Sequence, residues 1–465
     1  MLLFIEMKRP RSRLILLALT LVVVTASTSS VLAQTLNERL DEYLTAAQRV
    51  LRFTGAVIVA KDGEIVLSQG YGMADRADSI PNTPDTKYLL ASITKQFTAA
   101  GILQLVERKQ LSLNHPVSKY LPDYPKKVGD RVTIYHLLTH TSGIAEYTTQ
   151  PQFGEIYLKP ATHEEVVATF KDIPLQIEPG SEWRYSNSGY YLLGLIIEEV
   201  SGEPYGEYIR KHIFEPLGMQ NSGYPQGWID FPGLATGYTF DSTGNLIPAE
   251  IVYNTLPYAA GGLYSTVNDM AKWDAGLRNG RVLGESSLSK MFTPFKWRYA
   301  LGWEIDTLFG HTWAYHGGQG AGFCTAFMRF VDDPFCVAVL SNSDAGNVDR
   351  IAFELAAIAY GEPYDIPVTK TPITIDNATL DDYVGVYELD PDRHHLVTRE
   401  GDSLFVSEVG GKRSLLMAEA EDKFLYARNY CHTITFVRDT AGKVVEHIFH
   451  HRGSDERALR IEGDK

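Results

Sequence analysis

Apolar residues recur at helical spacing from residue 35 to about residue 52, and the pattern then changes. Residues 56–69 read as two short strands around the turn-forming cluster Lys61-Asp62-Gly63-Glu64. A helix and a hairpin therefore open the chain. Helical spacing returns over residues 88–108, where Gly101 is the one glycine, and this predicts a largely buried helix beginning near Ser92. Residues 111–290 are cut by Pro, Gly and Asn into short helical segments, one of them the apolar run 190–200 that stops at Ser201-Gly202. Extended runs come back at 299–306, 312–315, 322–330 and 336–341, and a closing helix follows over 348–360. Strands at both ends of a helical middle predict an α/β lobe with an inserted helical lobe.

The pattern changes again at the end. Pro363, Pro367 and Pro372 fall in a stretch without apolar periodicity, which places a linker over 362–374 between a domain of 34–361 and a second of 375–465. The second domain carries short extended runs at 383–389, 396–399, 404–409, 414–417, 424–428, 433–437, 444–450 and 458–461. Gly401, Gly410-Gly411, Gly442 and Gly453 separate several of them. Evenly spaced strands with little helix predict a small antiparallel barrel.

At the other end, Lys8, Arg9, Arg11 and Arg13 precede an apolar run, and Val31-Leu32-Ala33 forms a small-x-small pattern before Gln34. This reads as a signal peptide over 1–33 that is cleaved on export, with an uncleaved membrane anchor as the alternative. No later apolar stretch is long enough to span a bilayer, so the mature chain is expected in the periplasm or outside the cell.

Composition narrows the function. A chain of 465 residues exceeds what one hydrophobic core organises, in keeping with two domains. The net charge of −14 has the wrong sign for a protein that neutralises phosphates, which argues against nucleic acid as a partner. Cys324, Cys336 and Cys431 form neither a disulfide framework nor a metal or redox pair, and read as small buried hydrophobes.

Ser92-Ile93-Thr94-Lys95 sets a hydroxyl and an amine three residues apart, on one face at the start of the buried helix. A free lysine titrates near about 10.4, but desolvation lowers it by several units, which makes a buried lysine a proton acceptor for a serine. At a helix start the backbone N–H of Ser92 is also available to an oxyanion. The same spacing at Ser287 and Lys290 sits in a polar stretch after Gly284 and reads as a surface helix. Context comes from Tyr185-Ser186-Asn187, a single Tyr-x-Asn in a chain with 26 tyrosines, and from Tyr315-His316-Gly317-Gly318-Gln319-Gly320.

The three motifs, in this order, resemble the serine β-lactamase and penicillin-binding superfamily, most closely its class C, D,D-peptidase and esterase branch. Residues 137–143 (Leu-Leu-Thr-His-Thr-Ser-Gly), Pro179-Gly180 and residues 261–266 (Gly-Gly-Leu-Tyr-Ser-Thr) are similar to recurring segments of that family, and the tail from Leu380 resembles the lipocalin-like barrel of some members. The resemblance implies an antiparallel sheet flanked by helices with an inserted helical lobe, followed by the barrel. It makes Ser92 the nucleophile, Lys95 the group that helps take its proton, and Tyr185 the partner of Lys95 in a coupled acid/base pair. Asn187 would hold Lys95 and the substrate amide. His316 would stand at the first position of the third motif, with Gly317 and Gly318 allowing close approach and the N–H of Gln319 completing the oxyanion hole with Ser92. Gly317 in place of a Thr, and His316 in place of a Lys, argue against efficient β-lactam hydrolysis.

The activity so implied is hydrolysis through an acyl-enzyme, with no cofactor, on a small peptide or amide containing D-amino acids. An ester or a β-lactam is the alternative, and a slowly deacylating penicillin-binding or sensing protein the second alternative. His136 and His140 lie four apart without an evident third ligand, so no metal is expected. His163-Glu164-Glu165 lacks the second His of a zincin, and Gly318, Gly320 and Gly322 have the wrong spacing for a dinucleotide fingerprint.

Overall fold

The computed structural model describes residues 34–461, apart from 158, 242–244, 345–346, 370–372, 391–392, 409–412, 427–428 and 452–453. The expected signal segment 1–33 and Pro372 of the expected linker lie outside the described residues.

Helix α1 (Leu36–Val50) leads into β1 (Gly55–Lys61) and β2 (Glu64–Tyr71), the helix and hairpin expected from the periodicity. Helix α2 (Thr94–Glu107) follows, and α3 (Asn187–Ser201) crosses the helical middle. The chain then runs through β3 (Glu304–Leu308), β4 (His311–Gly320), β5 (Phe323–Phe330), β6 (Phe335–Ser341) and α4 (Val348–Tyr360). These strands form one sheet in the order β2-β1-β6-β5-β4-β3, with every described pairing antiparallel. The hairpin at the start thus pairs with strands near residue 340, Gly55 opposite Ser341.

Alternation along the central strands sorts their side chains into two cores. Val57, Val59, Val337, Val339, Ala326 and Met328 face α1 and α4. Ala56, Ile58, Ala338, Leu340 and Phe327 face the helical lobe. Because both faces are covered, the strands read as continuous apolar runs. Helix α2 sits inside the second core and is buried from Thr94 to Leu105, its polar residues Thr94, Lys95, Gln96, Thr98 and Gln104 included. A Cβ at Gly101 would stand 3.1 Å from Ile197 and 3.3 Å from Tyr208, so this glycine lets α2 pack closely on α3.

Strand β4 extends five residues beyond the run expected at 312–315 and carries the whole third motif. Its last residues are glycines and a glutamine, which carry no strand propensity, and pairing with β5 holds them extended.

The C-terminal strands, from Gly385–Asp390 to Ser454–Ile461, close into an eight-stranded barrel. It has its own core, built from Tyr387, Val397, Leu404, Phe424, Ile434 and Phe436 among others. The helix Asn377–Tyr383, absent from the expectation, leads into the barrel; the side chain of Asp376 caps it by accepting from the Thr379 N–H. Tyr383 is therefore a helix end and not a strand start, and its ring stacks on Phe436 at 4.5 Å. No helix among the described residues is long and apolar enough to cross a membrane. Cys324 and Cys336 are buried, as expected of small hydrophobes, and the side chain of Cys431 lies outside the described part.

The two cores of residues 40–359 contain no barrel side chain. We propose the division at 362–374 as a domain boundary, and expect a chain ending after Tyr364 to unfold cooperatively in thermal circular dichroism and to keep a reactive Ser92. A truncated chain that melts without cooperativity would make the barrel part of the main fold.

Candidate active site

Ser92 lies in a single 3-10 turn, Ala91–Ile93, directly before α2. The turn is held by the Leu90 N–H, which donates to the Leu263 carbonyl, and by the short strand Tyr88–Leu89 pairing with Tyr264–Ser265. Ala91 takes φ = 46°, a left-handed conformation disfavoured for a residue with a Cβ. The half-buried Ser92 faces the cleft from this turn while Lys95, one turn on, is fully buried beneath it.

The Lys95 amine reaches three acceptors: Ser92 Oγ at 3.1 Å, Asn187 Oδ1 at 2.9 Å and the Ala260 carbonyl at 2.7 Å. Two of these, an amide oxygen and a main-chain carbonyl, accept hydrogen bonds only. When the amine is neutral its two N–H groups are therefore committed to them, and its lone pair turns to the Ser92 hydroxyl. Burial lowers the Lys95 pKa to about 7, against a smaller upward pull from Glu146, so the neutral form is populated near pH 7.

Tyr185 also donates its hydroxyl to Ser92 Oγ, at 2.8 Å. Burial pushes its pKa up, so it is a proton donor at neutral pH; with 36% of its surface open to the cleft, that push is weaker than for a core tyrosine such as Tyr190. The Lys95 amine also lies 4.8 Å from the centre of the Tyr185 ring.

The Tyr-Ser-Asn motif takes its geometry from the start of α3. Ser186 is the N-cap, its side chain accepting from the Gly189 N–H, and this puts Tyr185 outside the helix and Asn187 at its first position. Glu146 fixes the Asn187 amide: Oε2 accepts from the Asn187 main-chain N–H at 2.5 Å and Oε1 from Nδ2 at 3.1 Å, which turns Oδ1 toward Lys95. His140 accepts from the Ser186 N–H at 3.0 Å and packs its ring 4.4 Å from that of Tyr185. Burial and the positive charges nearby hold His140 neutral. His136 serves the helix Ile134–Leu138 as a capping residue, accepting from the Thr133 N–H, and His163 pairs with the Tyr191 hydroxyl.

Strand β4 closes the other side. His316 is nearly buried, with Nε2 3.0 Å from the Tyr299 hydroxyl and Nδ1 2.6 Å from the Gly317 carbonyl. The carbonyl only accepts, so Nδ1 carries a proton. A Cβ at Gly318 would lie 2.4 Å from the Leu90 carbonyl, 2.5 Å from Thr325 Oγ1 and 3.0 Å from the Ser92 nitrogen, so glycine alone lets the strand come this near the serine. Gln319, the next residue, is exposed and lines a cavity together with Ser92 and Asn187.

All the residues singled out from the motifs thus meet at one place. The second Ser-x-x-Lys does not: Lys290 donates to Ser286, and Ser287 is buried in the helix Glu285–Met291. Three contributors were not singled out from the sequence. Glu146 lies just beyond the family-like segment 137–143, Tyr299 opens a run read only as extended, and the Ala260 carbonyl belongs to a main chain that any residue supplies.

The family described as Beta-lactamase matches residues 40–360, more than half of the chain. The chain belongs to the beta-lactamase family. Among its relatives is penicillin-binding protein 4* of Bacillus subtilis (strain 168), 30% identical over 88% of this chain and 95% of that protein. Esterase EstB of Burkholderia gladioli is 36% identical over 41% of this chain, which spans 52% of that esterase. In three dimensions the D-amino acid amidase of Ochrobactrum anthropi SV3, solved with L-phenylalanine amide, superposes with a TM-score of 0.57 at 28% identity, covering 66% of this chain and 90% of that one. Like these members of the beta-lactamase family, the protein is a serine hydrolase.

Proposed function

We propose that the protein hydrolyses amides or peptides of D-amino acids through an acyl-enzyme on Ser92. The observation that carries this is the placement of Ser92 Oγ within hydrogen-bond distance of both the Tyr185 hydroxyl, at 2.8 Å, and the buried Lys95 amine, at 3.1 Å. Ser92 Oγ attacks the substrate carbonyl as its proton passes to Lys95. The resulting oxyanion sits between the N–H groups of Ser92 and Gln319. As the tetrahedral adduct collapses, Tyr185 protonates the leaving nitrogen and recovers a proton from Lys95. Water then releases the acyl group by the reverse route. Asn187 holds Lys95 and the substrate amide. His316 acts through its contacts with Tyr299 and Gly317, which fix the strand opposite Tyr185.

The D-amino acid part rests on likeness to the amidase and has its own test. Turnover of D-phenylalanine p-nitroanilide should exceed that of the L isomer at least tenfold, and mass mapping of a fluorophosphonate adduct should find it on Ser92. Equal turnover of both isomers would remove the D-amino acid assignment. Ester hydrolysis is the second reading, supported by likeness to Esterase EstB. Sustained turnover also separates a hydrolase from a protein that is acylated and stays so. The basic and apolar pattern of residues 1–33, together with a relative named as a penicillin-binding protein, supports action outside the cytoplasm.

Tyr185→Phe should lower the single-turnover acylation rate about 100-fold, the scale of lost acid/base help, with a smaller change in substrate binding. Near-normal acylation would take Tyr185 out of the proton path.

A further inference from the structure

Next to Ser92 lies a cavity of about 170 Å³. Tyr147, Phe153, Tyr157, Ile229, Val252 and Leu256 form much of its wall, and Asn187 and residues 319–321 border it. Ile229, Val252 and Leu256 are buried at 5% exposure or less, while Phe153 and Tyr157 are half-buried at the rim. Among the described residues lining it there is no Lys, Arg, His, Asp or Glu.

Position decides which half of a substrate enters. Tyr185 is the proton donor to the leaving group, and it is not among the residues lining this cavity, whereas Asn187 and Gln319 are. The leaving group thus departs on the Tyr185 side and the acyl group points into the cavity. We propose that the cavity selects substrates whose acyl part carries a bulky, uncharged apolar group, aromatic or branched aliphatic. This rests on the reading of Ser92 as the nucleophile.

Size and chemistry agree. An apolar protein cavity of roughly 150 Å³ holds a benzene ring, so a phenyl group fits here. Each methylene moved from water into such a site is worth about a fourfold change in an equilibrium constant. A carboxylate carried into the cavity would be stripped of water without gaining a cation among the described lining residues, so acyl side chains that end in a negative charge are rejected.

The experiment compares kcat/KM of the full chain for p-nitrophenyl acetate, butyrate, phenylacetate and hemisuccinate, which share one leaving group. Butyrate and phenylacetate should exceed acetate about tenfold or more, and hemisuccinate should fall at least tenfold below butyrate. Tyr157→Lys, which brings a cation to the rim, should raise hemisuccinate relative to butyrate at least tenfold. Phe153→Lys serves the same purpose should that variant lose its circular dichroism signal. Fluorophosphonate labelling of Ser92 is read alongside. A series flat across the four esters with Ser92 labelled overturns the cavity assignment. Turnover without a label on Ser92 overturns the nucleophile assignment instead.

Discussion

Lys95→Met is expected to lower single-turnover acylation of Ser92 about 10³-fold, because the serine loses its only buried proton acceptor among the described contacts. In the wild type, kcat/KM should rise with pH through an apparent pKa near the 7 of the Lys95 amine. The variant should lack that limb. A stability effect accompanies the loss. Lys95 titrates at about 7 in the folded chain against an ordinary 10.5, so between those values the unfolded chain binds more protons and wild-type stability rises with pH. Below pH 7 the penalty is complete, on the order of 5 kcal/mol. Methionine fills similar space without charge but leaves the Ala260 and Asn187 acceptors unpaired, at about 1–3 kcal/mol each. Thermal melts should therefore show the variant gaining on wild type as pH falls from about 10 to 7, with no further gain below. Melting temperatures that stay parallel across that range would mean that Lys95 is not held near neutrality.

Gly318→Ala should be nearly as damaging, by a different route. The added methyl would stand 2.4 Å from the Leu90 carbonyl and 3.0 Å from the Ser92 nitrogen, and these are main-chain atoms that cannot step aside. Strand β4 must then move away from the serine and take the Gln319 N–H with it. Loss of one oxyanion donor costs about 10²–10³-fold in kcat, and that is the drop expected. Gly320→Ala is the comparison, since a Cβ there meets nothing within 4 Å, and its effect on acylation should be far smaller than that of Gly318→Ala. Equal effects of the two substitutions would show that close approach at Gly318 has no part in catalysis.

Much of this was open to reading from the chain because its determinants are local. The buried helix behind Ser92, the helix stopped at Gly202 and the barrel strands all follow from periodicity and glycine punctuation. Their side chains report burial directly. What stayed hidden depends on distant partners. Glu146 looks like any polar residue of a loop until Asn187 folds against it. The pKa of Lys95 is set by the closing of the whole helical lobe over it, which the Ser-x-x-Lys spacing shares with Ser287 and Lys290 but does not encode. Strand β4 was read five residues short because its end is glycine-rich and is kept extended by β5. The helix Asn377–Tyr383 escaped because its two buried side chains, Leu380 and Tyr383, form too short a pattern.

The sheet that pairs Gly55 with Ser341, 286 residues apart, has a consequence for a chain still on the ribosome. Ser92 and Lys95 leave the exit tunnel early, but Asn187, the Ala260 carbonyl and β4 follow much later. At roughly 5–20 residues per second the interval from Ser92 to Ser341 lasts on the order of 10–50 s. Throughout it Lys95 is solvated and protonated, and Ser92 is an ordinary alcohol. Reactivity therefore waits at least until translation is three-quarters done, and switches on only when β6 docks beside β1.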